Sequence, residues 1–188
     1  FRGNLELVNS SISQKVWVVN ELPFEEYLQG IGEALNADRP EYQKAFSISA
    51  RSYALFHMQN GGKYGKNEVF YLNNSSSDQV YKGYAWEQYA PKLVSAVQAT
   101  AGEAMKYNGK VARSVYSSDS GGVTKNACQY FGKEFCTADY GYLSGGVKDP
   151  EGTTRRDASV LKASHGVGMS ATGARRLAEL GKTYKEIL

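Results

Sequence analysis

The sequence predicts an α+β fold: an antiparallel sheet region, helices packed around it, and a long irregular segment lining a groove. Three observations carry this. Two β-rich runs near the start, residues 1–8 (FRGNLELV) and 15–20 (KVWVVN), alternate and are separated by the turn residues 9–14. Proline-opened helical stretches follow, ended by glycine or asparagine. From Ser117 to Ser164 the chain is rich in Gly, Ser and Asp with little periodicity, a length of irregular chain that inside a compact domain usually serves function.

The elements are expected in this order. The first two runs pair as antiparallel strands. Pro23, at an early helical position, opens a short helix over residues 24–29, stopped by Gly30. Pro40 opens a longer helix over residues 41–59, with Tyr42, Ala45, Ser49, Ser52, Tyr53 and Phe56 on one stripe and Asn60-Gly61-Gly62 as its end. Residues 63–83 read as polar loop with one short strand at 69–72. Pro91 starts a third helix, residues 92–100. Residues 103–107 and 110–116 flank Asn108-Gly109, a pair suited to the two positive φ angles of a type I′ turn, and so form a hairpin. A last long helix covers 171–180, capped by Gly181, and another begins at Tyr184. No internal repeat or linker divides the chain, so residues 1–188 are expected to form one domain.

Composition narrows the function. The 188 residues are 41% hydrophobic and 22% charged, a globular balance. Lys and Arg number 22 against 19 Asp and Glu, a net charge of +3, too mild for a nucleic-acid surface. No run of about 20 apolar residues is present to span a membrane. No signal peptide is visible, and a chain that starts at Phe1 reads as a mature or excised segment. Tyrosine outnumbers phenylalanine, 14 to 7, which suits wet grooves as well as cores. Cys128 and Cys136 fit no CxxC pattern: a disulfide, two free thiols, or half of a metal site with His57 and His165 all remain open.

Chemistry-bearing residues crowd into three glycine-containing segments: Gly30-Ile31-Gly32-Glu33, residues 117–122 (SSDSGG) and residues 164–170 (SHGVGMS). Glycine there lets backbone approach a ligand closely. Each segment also has a plain reading, as a turn, a structural histidine or a helix-capping acid. A serine hydrolase is disfavoured because Ser120 has Ser118, not Gly, at the first position of GxSxG. A cysteine nucleophile is disfavoured because the two cysteines lie close enough to pair.

In order along the chain, the segments resemble the family of stage II sporulation protein D and the amidase enhancer LytB. The likeness runs through Phe1-Arg2-Gly3, Glu26-Tyr27-Leu28-Gln29-Gly30, Ala50-Arg51-Ser52-Tyr53-Ala54-Leu55 and Gln79-Val80-Tyr81-Lys82-Gly83. It continues through Tyr107-Asn108-Gly109-Lys110, Tyr116 with Ser118 and Ser120-Gly121-Gly122, and His165-Gly166-Val167-Gly168-Met169-Ser170. The resemblance implies an exported protein of the cell envelope, free or as part of a larger membrane-anchored one. It implies a peptidoglycan lytic transglycosylase with Glu33 as acid/base, and Arg51, Gln79, Tyr81, Tyr116, Ser118, Ser120, His165 and Ser170 as substrate-binding residues. Peptidoglycan glycan strands are the implied ligand and a cell-wall amidase a second partner. The alternative within the family is a non-catalytic, glycan-binding amidase enhancer.

Two departures remove potential metal ligands: Ser117 stands where the family usually has His, and Asp78 where some members have Cys. No metal or other cofactor is therefore expected. The segment before Glu33 is about two residues shorter than usual, and the family's tyrosine-rich tail is missing after Leu188. One acid suffices for the implied reaction, because the sugar's own C6 hydroxyl replaces the water and second carboxylate of an ordinary glycosidase. Such an acid needs a pKa raised by burial. Arg51 is accordingly expected away from Glu33, on a substrate carboxylate or a loop carbonyl. The exported family makes a Cys128–Cys136 disulfide the expected pairing.

Overall fold

The computed structural model describes residues 2–150 and 158–188. Part of the expected irregular segment, residues 151–157, and Phe1 lie outside the described residues. The fold is α+β. Strands β1 (Asn4–Ser10) and β2 (Lys15–Glu21) form an antiparallel hairpin in which Leu7 faces Val18 and Val8 faces Trp17. Trp17 packs edge-on against Phe70, which ties the hairpin to the loop that follows the central helix.

Helix α1 (Phe24–Gln29) starts directly after Pro23, which sits at the N-cap, and ends at Gly30. Helix α2 (Pro40–Gln59) is the centre of the molecule, packed by α4 (Pro91–Ala99), α7 (Ala171–Glu179) and α8 (Tyr184–Ile187). The expected apolar stripe is too narrow: Gln43, Phe46, Ser47, Ile48, Ala50, Arg51, Ala54 and His57 are buried as well. A helix enclosed on nearly every side needs small and hydrogen-bonded polar residues, and Ser47 and Ser52 donate back to the Gln43 and Ile48 carbonyls of the helix itself. The main core joins Leu28, Ile31, Tyr42, Phe46, Leu93 and Val97.

Residues 69–72 form no strand; the 63–78 loop is held instead around buried Asp78, which accepts from Lys63, Tyr64 and the Asn73 amide. Helix α3 (Tyr84–Tyr89), not anticipated from the sequence, follows directly. The Asn108-Gly109 turn has both φ angles positive, 50° and 78°, and joins β3 (Lys106–Tyr107) to β4 (Lys110–Val111). The hairpin is shorter than expected because Tyr116 leaves it: β5 (Tyr116–Ser117) pairs in parallel with β6 (Met169–Ser170).

Within the irregular segment, α5 (Ala127–Phe131) and two short 3₁₀ turns surround a Cys128–Cys136 disulfide, and a second core forms from Ala127, Phe135, Leu143 and Val167. Helix α6 (Ala158–Ala163) closes the segment. Residues of the 142–150 stretch wall a cavity of about 470 Å³ against β3 and α7. Among the described residues no helix is long and apolar enough to cross a membrane.

Candidate active site

Glu33 lies in the α1–α2 connection between two fully buried anchors, Ile31 and Ala34. The connection is clamped from both sides. Gly32 N–H donates to the Val80 carbonyl and Lys82 N–H to the Gly30 carbonyl, each at 2.8 Å, so residues 30–32 run against 80–82. Downstream, Asp38 accepts from Leu35 N–H and pairs with Arg175. The glycines are required for space: a Cβ on Gly30 would lie 2.3 Å from the Tyr81 ring. Tyr81 in turn stacks on Tyr27, with centroids 5.4 Å apart. Glu33 caps no helix; the N-cap of α2 is Arg39.

The Glu33 carboxyl accepts from the Tyr116 hydroxyl at 2.6 Å through Oε2. Burial raises its pKa, against smaller lowering effects from the Tyr116 hydrogen bond and the Val80 backbone. Among the described residues, no second carboxylate acts on it. Behind Tyr116 stands Gln79, fully buried, whose Nε2 donates to Tyr116 Oη at 3.2 Å and to the Ala50 carbonyl at 3.1 Å, while its Oε1 accepts from Tyr27 Oη at 2.9 Å. The Tyr116 phenol is held protonated, its pKa pushed far up by burial first and by the Glu33 charge second.

His165 meets the other end of the same tyrosine. Its Nδ1 accepts from Val167 N–H at 3.0 Å, so its Nε2 carries the proton and donates to the Tyr116 carbonyl at 2.9 Å. Burial lowers the His165 pKa and keeps the ring neutral. His165 therefore positions the strand that delivers Tyr116.

The remaining expected site residues make contacts of their own within the protein. Ser120 and Ser170 turn their hydroxyls to the buried Asp149 carboxylate, at 2.7 and 2.8 Å, because a buried carboxylate needs donors. Ser118 is exposed, and its carbonyl accepts from Thr172. Of the two partners expected for Arg51, a substrate carboxylate or a loop carbonyl, it holds the second. All five guanidinium N–H groups are used inside the protein: two on Glu25, the others on the Val97 and Glu103 carbonyls and Thr100 Oγ1. Arg51 is 1% exposed and is not among the groups that shift Glu33.

Sequence reasoning missed Tyr27 as a site residue. It lies 52 positions from Gln79, and no local pattern announces such a pairing. At the two positions where the resemblance led to metal ligands being expected to be absent, the Asp78 carboxylate accepts from Lys63, Tyr64 and the Asn73 amide, and Ser117 carries a buried neutral hydroxyl. No group of three His, Cys, Asp or Glu side chains that could hold a metal occurs among the described residues.

Glu33 is thus a buried carboxyl with a raised pKa, held by one hydroxyl donor whose orientation is fixed from behind by Gln79. Residues 12–107 match the family model described as Stage II sporulation protein (SpoIID), and the chain belongs to that family. A stretch of 118 residues is 36% identical to an uncharacterized protein of Brachyspira hyodysenteriae, covering 61% of this chain and 30% of that protein. Stage II sporulation protein D of Bacillus subtilis is 28% identical over 70% of this chain and 40% of its own length. The amidase enhancer of Bacillus subtilis is 32% identical over 59% of this chain and 14% of its own length. The chain thus spans well under half of these relatives. The family match contains Tyr27, Glu33 and Gln79 and stops before Tyr116.

Proposed function

We propose that residues 1–188 form one peptidoglycan-processing domain of the cell envelope, a lytic transglycosylase that cleaves the MurNAc–GlcNAc bond. The observation that carries the reading is Glu33, a carboxyl with its pKa raised by burial and, among the described residues, no second carboxylate acting on it. In the acid step the Glu33 carboxyl gives its proton to the glycosidic oxygen, and the bond from that oxygen to the MurNAc C1 breaks. In the second step the MurNAc C6 oxygen bonds to C1 and its proton returns to the Glu33 carboxylate. The product carries a 1,6-anhydro ring, and the enzyme regains its starting protonation. The disulfide supports an oxidising compartment, as expected outside the cytoplasm.

Glu33→Gln tests this. Glutamine keeps the shape but carries no acid proton, so cleavage should fall by about 10²–10⁴-fold or more, since one group serves both transfers. Mass spectrometry of digested glycan strands should find anhydro ends with the wild type. Reducing ends would indicate a water nucleophile, and unchanged cleavage in Glu33→Gln would remove Glu33 from the mechanism.

The 32% identity to a protein named amidase enhancer supports a second reading, a glycan-binding module that assists an amidase. Under it the purified domain produces no ends, and Glu33→Gln leaves enhancement of the amidase intact.

A further inference from the structure

We infer that Tyr27 and Gln79 are positioning residues for Glu33: acting through Tyr116, they fix a one-way chain of hydrogen bonds that makes Oε1 the oxygen bearing the acid proton. The inference rests on the reading of Glu33 as acid/base for its consequence in catalysis, but not for its geometry.

The direction of the chain is set at Ala50. A backbone carbonyl only accepts, and Gln79 meets the Ala50 oxygen at 3.1 Å. The amide nitrogen must face it, because the reversed amide would place two acceptors against each other. Gln79 is fully buried, so water offers no alternative partner. With the nitrogen fixed, Oε1 faces Tyr27 at 2.9 Å, and Tyr27 has to be the donor. The second Nε2 hydrogen points to Tyr116 Oη at 3.2 Å. Tyr116 has one hydroxyl hydrogen, and with Gln79 donating to its oxygen that hydrogen goes to Glu33 Oε2 at 2.6 Å. Each donor in the series Tyr27, Gln79, Tyr116 points toward Glu33, and successive bonds of this kind polarise one another.

In a neutral carboxyl the carbonyl oxygen is the stronger acceptor, so the short tyrosine bond to Oε2 makes Oε2 the carbonyl oxygen and Oε1 the favoured site of the proton. In the lytic reaction Oε1 gives this proton to the leaving glycosidic oxygen as the C1–O bond breaks, and takes back the C6 hydroxyl proton as the C6 oxygen bonds to C1. Oε2 keeps the same partner throughout, so the carboxyl does not have to turn between the two transfers.

The test follows the titration of Glu33 by carboxyl ¹³C NMR in substrate-free protein, alongside the pH profile of glycan cleavage. Tyr27→Phe deletes one hydroxyl and keeps the ring that stacks on Tyr81. The double variant Tyr27→Phe/Gln79→Met removes both groups and leaves no buried donor orphaned. The Tyr116 hydrogen bond stabilises the carboxylate, so weakening it raises the Glu33 pKa. The expected result is an upward shift in Tyr27→Phe, a larger one in the double variant and the largest in Tyr116→Phe. The limb of the pH profile set by loss of the acid proton moves the same way. The double variant should lose on the order of 10²-fold in kcat with KM held, as for a misplaced acid. A Glu33 titration that does not move, or moves down, in both Tyr27→Phe and the double variant overturns the inference. Should the double variant fail to fold, Tyr27→Phe alone decides by the same criterion. Because the titration needs no substrate, it stands if Glu33→Gln retains cleavage and the enzymatic reading falls. An unmoved titration beside a dead Glu33→Gln variant leaves Glu33 as the acid and removes Tyr27 and Gln79.

Discussion

Replacing Arg51 separates a structural role from a substrate-binding one. The side chain is 1% exposed and joins three parts of the molecule: Glu25 of α1, Val97 at the end of α4, and the Glu103 carbonyl beyond it. Arg51→Ala removes five donors. The Val97 carbonyl keeps Thr100 as a partner, but the Glu103 carbonyl loses its only hydrogen bond among the described residues, at about 1–3 kcal/mol. The Glu25 side chain is 38% exposed, so water takes over part of its solvation, and the ion pair adds less than a fully buried one would. The space left by the stem adds a further loss of packing. Together these give about 3 kcal/mol, or roughly 10 °C in melting temperature for a chain of this size. Arg51→Lys keeps the charge but cannot reproduce the planar five-donor pattern, and should fall between the two. Thermal unfolding by circular dichroism measures the shift, with glycan binding measured below the transition. A variant that melts within about 2 °C of wild type yet no longer binds glycan would refute the argument and return Arg51 to the substrate.

Other outcomes follow from single features. His57 is buried with its Nε2 unpartnered, and burial lowers its pKa from 6.5 to about 4. Between those values the unfolded chain binds more protons than the folded one, so unfolding free energy falls as pH drops below about 6.5, by about 3 kcal/mol at pH 4; denaturant titrations across this range should show the slope, and His57→Phe should flatten it. Gly30→Ala drives a Cβ into the Tyr81 ring, and overpacking of this kind costs about 1–3 kcal/mol; the melting temperature should drop, and an unchanged melt with unchanged cleavage would show the ring yields freely. Reducing Cys128–Cys136, eight residues apart, releases a short loop worth about 2.5 kcal/mol of unfolded-state entropy; melting with and without reductant checks this, and equal curves would show that the second core holds the loop unaided.

Much of the scaffold was legible because it is written locally. Pro23, Pro40 and Pro91 mark the starts of α1, α2 and α4 by a fixed φ and a missing N–H. Asn108-Gly109 marks its turn by two positive φ angles. The strand expected at residues 69–72 was illegible for the opposite reason: those β-formers serve a loop whose shape is set by Asp78, through a hydrogen-bonding centre that periodicity does not see. Helix α3 is only six residues long, too short for a periodic pattern to stand out.

The sequence alone determined the α+β class, the proline-opened helices and the family likeness, and through that likeness it singled out Glu33 among 19 acidic residues as the residue matching the family's glutamate before helix residues 50–55. Only the tertiary structure decided the work of each side chain. The resemblance implied substrate contacts for Arg51, Ser120 and Ser170; in the fold a buried charge takes the partners brought within about 3 Å, and these are Glu25 with two carbonyls for Arg51, and the two serine hydroxyls for Asp149. Tyr27, Gln79 and Tyr116 converge on Glu33 from α1, a loop and β5, separated by 52, 37 and 83 positions along their hydrogen bonds. Local chemistry fixes φ, ψ and the exposed face of each element. The donor that meets each buried acceptor is fixed only when distant elements pack, because burial removes water as the competing partner.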